Sequence, residues 1–166
     1  NVKSMFEPEE GGIHPRKAAE HHYQHALEKI NEAFQKTDLE KKDIDGIAFS
    51  QGPGIHQCLD VGAVAARSFS LKHSIPLIGV NHCLAHISIG TRTTEATDPT
   101  TLYVSGGNTQ IIDYRKGRYR VVGETMDVAL GNALDKFARN LGYPHPGGPE
   151  IEKLAEQTDD IIELSY

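Results

Sequence analysis

Two short apolar runs, "GIAFS" (46–50) and "PLIGV" (76–80), flank an Ala-rich stretch that reaches about Lys72. No other feature narrows the fold as much. Each run has strand length, and "QGPG" (51–54) closes the first with residues that break regular structure. A strand, a helix and a second strand at this spacing pair in parallel through a right-handed crossover. The expectation is an α/β chain in which both runs are buried, "PLIGV" on both faces. Upstream, Pro15 suits the first turn of a helix, where its missing N–H costs nothing. Tyr23, Leu27, Ile30 and Phe34 follow at i, i+4, i+7 and i+11, one apolar stripe ending near residue 36. Residues 1–13 read as an irregular lead-in ending at Gly11-Gly12.

After "PLIGV" a helix is expected, capped by Asn81 and carrying His82 and His86. "TRTTEATDPT" (91–100) is polar and reads as a connection, dividing the chain into lobes at 1–97 and 98–166. "TLYVS" (101–105), "TQIIDY" (109–114) and "RYRVVGE" (118–124) are then strands of an antiparallel meander, turned by Gly106-Gly107-Asn108 and Lys116-Gly117. Residues 128–141 form a helix whose apolar side is Val128, Leu134, Phe137, Ala138 and Leu141. A loop, "YPHPGGPE" (143–150), leads into a short helix from Glu150 to about Thr158.

The net charge of −6 opposes a chain that holds nucleic acid by its overall electrostatics; basic charge would have to come from a local patch, another segment or a partner. No apolar run reaches the roughly 18–20 residues that span a bilayer, and "NVKSMFEPEE" lacks a signal-peptide layout. The two cysteines, Cys58 and Cys83, make no CxxC pair or disulfide framework, which fits a cytoplasmic setting.

Histidines four apart on a helix share a face, with Cβ atoms about 6 Å apart, and can bind one metal ion. The alternative is two histidines hydrogen-bonded to backbone or water. Cys83, not Glu, follows His82, so the general base of a HExxH protease is missing. In "LYVSGGNTQII" (102–112), glycines between strands permit close approach of a ligand, and successive N–H groups can cradle an anion. An ordinary hairpin that needs positive φ explains the same residues. Tyr103 alone reads as a core aromatic. Asp135, like Glu124 and Asp127, reads by default as a solvated charge. "HPGGPE" (145–150) precedes a helix N-terminus that can receive an anion.

Together, "GGIHPRKAAEHH" (11–22), "FSQGPG" (49–54), "PLIGVNHCLAHI" (76–87), "LYVSGGNTQ" (102–110), "GETMDVALGNALDKFAR" (123–139) and "PGGPEIEKLA" (146–155) occur in order. The chain resembles the family that makes threonylcarbamoyladenosine in tRNA, in the version that is the catalytic subunit of the archaeal and eukaryotic KEOPS complex. That family was formerly called an O-sialoglycoprotein endopeptidase. The resemblance implies a two-lobe actin-like α/β fold and transfer of threonylcarbamoyl from threonylcarbamoyl-AMP to N6 of the adenosine beside the anticodon. It implies one divalent metal ion, iron or zinc, on His82, His86 and Tyr103. It places ATP or threonylcarbamoyl-AMP along Tyr103, Val104, Ser105, Gly106 and Gly107, with Asp135, Gly148 and Glu152 at the ribose. Implied partners are tRNA held through the complex, a small dimerising protein on the N-terminal lobe, and a small protein kinase/ATPase; no membrane is involved.

His56 and Asp60 stand where the resemblance leads one to expect a small residue and an Arg. The family also begins with a strand and phosphate loop ahead of this sequence. It continues past "ELSY" to an acidic metal ligand and an Asn-rich adenosine contact. The chain is therefore expected to be incomplete and inactive alone. Rival readings are a metalloprotease, a partner-binding module built on helices 15–36 and 56–72, and a kinase of the same fold.

Overall fold

The structure is a computed structural model describing residues 1–8, 12–160 and 162. Gly11, at the end of the lead-in, and "ELSY" lie outside the described residues. The chain divides into two compact units, one comprising residues 1–9 and 13–96, the other 10–12 and 97–166.

In the first unit, α1 (Pro15–Gln35) and α2 (His56–His73) are joined through a single 3-10 turn and β1 (Ile47–Gly52). β2 (Leu77–Asn81) and α3 (His82–Thr93) complete the unit. β1 and β2 pair in parallel, Ile47 opposite Leu77 and Phe49 opposite Gly79, as the strand–helix–strand spacing requires. β1 runs further than "GIAFS": Gln51 and Gly52 stay in the strand across a register shift. Gly52 takes a φ of 143°, which other residues rarely adopt.

Burial departs from expectation. Ile47 and Phe49 are half-buried where α2 packs on β1, but Ala48 and Ser50 are exposed, and Ile78 of β2 is 55% exposed. Ala48 and Ile78 lie opposite each other in register, so the exposed stretch is one patch shared by the two strands, while Leu77 and Val80 are half-buried. The α1 stripe divides likewise. Phe34 stacks on Phe69 of α2, ring centroids 6.0 Å apart, whereas Tyr23 and Leu27 are 79% and 70% exposed. The result is an apolar groove of about 520 Å³ between α1 and α2, lined by Tyr23, Leu27, Ile30, Val61, Val64 and Phe69. Along α1, Lys29 and Lys36 donate to Glu32 and hold its carboxyl down at about 2.

The second unit is a three-stranded antiparallel sheet in the order β3 (Thr101–Val104), β4 (Thr109–Arg115), β5 (Arg118–Glu124), followed by α4 (Leu130–Asn140) and α5 (Gly148–Ala155). Lys116 and Gly117 have φ of 53° and 75°, so β4 and β5 join through a two-residue turn whose twist matches the strands. α4 buries Ala138 completely, but Phe137 and Leu141, expected on its apolar side, are 54% and 52% exposed. α5 starts two residues earlier than expected and ends at Ala155. Among the described residues, no helix is long and apolar enough to cross a membrane.

Candidate metal and nucleotide sites

The histidine pair owes its position to one side chain. β2 ends at Asn81, whose Oδ1 accepts the Leu84 N–H at 3.1 Å and caps α3. His82 thus becomes the first residue of a helix that leaves the C-terminal end of a parallel strand. Cys83 and Ile87 are the buried residues of α3, while His82 and His86 are exposed. Their rings lie 4.7 Å apart, centroid to centroid, with planes at 89°. Two exposed imidazoles on one helix face fit a borderline divalent ion such as iron or zinc, leaving its other positions open. Buried Cys83 stands apart from them. Among the described residues, no group of three His, Cys, Asp or Glu side chains could hold a metal. Tyr103, the third ligand expected from the resemblance, belongs to the second unit, where its side chain is only 7% exposed.

The second unit carries the glycine turn. Ser105 closes it: its N–H donates to Asn108 O at 2.7 Å, and its Oγ accepts the Asn108 N–H at 3.0 Å. The Ser105 N–H is therefore committed and does not join a three-residue anion cradle. Gly106 and Gly107 are different. Both are exposed, and neither N–H has an acceptor among the described residues. Neither takes a left-handed φ, and a Cβ on either would meet nothing within 4 Å. The turn does join β3 and β4 as a hairpin, but the positive φ expected of it is absent, so the hairpin does not itself require glycine here. What remains is a bare backbone with two unengaged amides.

Two further glycines, not singled out from the sequence, mark close approaches to α4: Gly131 at the glycine turn and Gly147 at loop 143–147. A Cβ at Gly131 would lie 2.6 Å from Ser105 O and 2.9 Å from the Gly106 N. The first turn of α4 thus rests directly on the glycine turn. The Gly131 N–H donates to Ser105 O at 3.2 Å, and Thr109 Oγ1 accepts the Leu130 N–H at 2.8 Å. A Cβ at Gly147 would lie 2.4 Å from the Ala138 Cβ. The Gly147 N–H donates to Asp135 Oδ1 at 2.8 Å, tying loop 143–147 to α4. Glycine inside "ALGN" was the available signal, since a helix interior keeps glycine at a cost only for a reason such as packing.

Asp135 is not the solvated charge of the default reading. Its side chain is 19% exposed, and Oδ2 stands 3.5 Å from the buried Nδ1 of His145, which has no hydrogen-bond partner. Gly148, at the start of α5, faces open space, and Glu152 is exposed one turn on. Tyr103 and Val104 alternate, the first buried and the second exposed, on the strand that delivers Ser105. In the first unit, His56 and Asp60 face each other on α2, Nε2 to Oδ2 3.6 Å, both exposed.

The family model described as tRNA N6-adenosine threonylcarbamoyltransferase matches residues 1–166. A "Probable bifunctional tRNA threonylcarbamoyladenosine biosynthesis protein" of Methanosarcina mazei is 55% identical over 99% of this chain and 31% of its own length. A tRNA N6-adenosine threonylcarbamoyltransferase of Methanococcoides burtonii is 48% identical over 99% of this chain and 50% of its own. The chain thus spans 31% to 50% of the length of these curated relatives. The solved structure of YeaZ from Pseudomonas aeruginosa aligns with 63% of this chain and 51% of its own, at 17% identity and a TM-score of 0.45. On the family match and these identities, the chain belongs to the tRNA N6-adenosine threonylcarbamoyltransferase family, and its two α/β units are parts of that family's actin-like fold.

Proposed function

We propose that the full-length protein transfers threonylcarbamoyl from threonylcarbamoyl-AMP to N6 of the adenosine beside the anticodon of a tRNA. The observation that carries this reading furthest is the glycine turn, with two exposed amides that have no acceptor among the described residues, on a backbone that needs no glycine for itself. Such a turn suits the phosphate of an acyl-adenylate. In the transfer, the N6 amine attacks the carbamoyl carbon, the bond from that carbon to the phosphate oxygen breaks, AMP leaves and N6 loses a proton. The Gly106 and Gly107 amides hold the phosphate on which negative charge collects. Asp135 keeps loop 143–147 against α4, and its Oδ2, with Glu152 near the α5 N-terminus, is available to ribose hydroxyls. His82 and His86 would hold a divalent ion, iron or zinc, which when bound would supply Lewis-acid positive charge for the transfer.

The partner reading rests on the groove between α1 and α2. Its exposed Tyr23, Leu27 and Val64 suit the apolar face of a small dimerising protein. A small protein kinase/ATPase belongs to the same assembly in this reading, and free Cys58 and Cys83 fit a cytoplasmic location.

Replacing Gly107 by Val tests the glycine turn. Its side chain enters open space, so the melting temperature should stay within about 2 °C, as for an ordinary surface substitution. Affinity for AMP or ATP, measured by calorimetry on the full-length protein, should fall at least about tenfold because the phosphate can no longer approach the amides. Undiminished affinity would remove the turn from the site.

A further inference from the structure

The β4–β5 hairpin carries charge opposite in sign to that of the whole chain. Arg115, Lys116, Arg118 and Arg120 are four of its seventeen Lys and Arg residues, and no acid occurs between Tyr114 and Gly123. In register, Arg115 faces Arg118, Asp113 faces Arg120 and Tyr114 faces Tyr119. Buried Asp113 pairs with Arg115. Lys116, Arg118 and Arg120 are exposed and have no acidic partner among the described residues. Arg115, opposite Arg118, is neutralised by Asp113, which leaves Lys116, Arg118 and Arg120 as the cations open to a polyanion. On the alternate face Tyr114 and Tyr119 pack at 4.9 Å, each still 41% exposed.

Protection of an edge strand explains this pattern poorly. β5 is one edge of the three-stranded sheet, and its exposed apolar residues are Val121 and Val122, 50% and 55% exposed. The cations instead cluster around the hairpin tip. Cations on one face of a narrow hairpin and exposed aromatics on the other suit single-stranded RNA passing over its tip, where cations take phosphates and rings stack on bases. An acidic polypeptide would need the cations only.

Resting on the tRNA reading above, we propose that the β4–β5 hairpin is an RNA contact. Lys116, Arg118 and Arg120 meet the phosphate backbone, and Tyr114 or Tyr119 stacks on an unpaired base.

The test uses full-length protein and a tRNA transcript, with dissociation constants measured across a salt series. Arg118→Gln/Arg120→Gln should weaken binding at least about tenfold near 0.1 M salt. It should also flatten the slope of log K against log salt by about 1.4, roughly 0.7 for each lost phosphate contact. Tyr114→Val/Tyr119→Val should weaken binding about 5- to 100-fold with the slope unchanged, as loss of one stacked base does. Ultraviolet cross-linking should place RNA on the peptide containing Tyr119. Unchanged constants and slopes overturn the proposal. So does an arginine variant that aggregates while its soluble fraction binds like the wild type, which marks an edge guard. Polyglutamate competing as well as RNA of equal charge, with the tyrosine variant unaffected, overturns it in favour of an acidic protein. If the wild type modifies tRNA while both variants bind normally, only the hairpin is lost. If the hairpin binds tRNA that is never modified, the transferase reading is lost and the hairpin stands.

Discussion

His82→Ala/His86→Ala in the full-length protein should reduce bound metal below about 0.1 ion per chain and slow threonylcarbamoyl transfer at least about 100-fold. Replacing even the outer partners of metal ligands costs 10- to 100-fold, so losing two direct ligands sets a floor. The fold should be spared. Both histidines are exposed on α3, whose buried anchors are Cys83 and Ile87, and whose cap is Asn81. Alanine favours a helix, and surface substitutions of this kind stay within about 0.5 kcal/mol. Elemental analysis, a thermal melt and a transfer assay on one preparation separate the two effects. A variant that keeps its metal would show that the imidazoles are not ligands, whatever its activity. One that loses metal together with its melting transition would show that the pair is structural.

Gly131→Ala should have the second large effect, and it runs against helix propensity. Glycine to alanine inside a helix normally gains about 1 kcal/mol. Here the new Cβ would lie 2.6 Å from Ser105 O, a backbone atom that cannot rotate aside. Overpacking costs about 1–3 kcal/mol, so the clash should offset that gain and win by up to about 2 kcal/mol. For a unit of this size each kcal/mol lowers the melting temperature by roughly 4–8 °C. Because α4 is displaced from the turn, nucleotide affinity should also fall at least about tenfold. Gly62→Ala, in α2 with nothing within 4 Å of its Cβ, is the matched control and should be neutral or stabilising. If both variants behave alike, α4 does not buttress the turn.

The elements were legible where local chemistry decides them. The spacing of "GIAFS" and "PLIGV" required parallel pairing, Asn81 announced a cap, and Lys116-Gly117 announced a tight hairpin turn; all three are present. Burial was less legible. Periodicity shows that Tyr23 and Leu27, or Phe137 and Leu141, belong to an apolar face, but not whether anything in the chain covers it. The same holds for "PLIGV", in which Leu77 and Val80 are half-buried while Ile78 is exposed.

The candidate site was legible as motifs more than as geometry. His82 and His86 share a helix face, as i, i+4 spacing dictates. That the Ser105 N–H is consumed by Asn108, leaving only two amides, depends on how the turn closes. Glycine inside "ALGN" hints that something packs closely there, but that Gly131 meets Ser105, and Gly147 meets Ala138, depends on how the chain folds back on itself. Asp135 illustrates the same limit. Its tie to the Gly147 N–H needs the loop to fold back on α4.

The central claim is the transfer itself. Full-length protein, loaded with metal, should be incubated with threonylcarbamoyl-AMP and unmodified tRNA, and the digested nucleosides read by mass spectrometry. The account predicts N6-threonylcarbamoyladenosine at the position beside the anticodon, with AMP released in equal amount. Metal-loaded protein that binds the acyl-adenylate and releases AMP, yet leaves every adenosine of the tRNA unmodified, would contradict it.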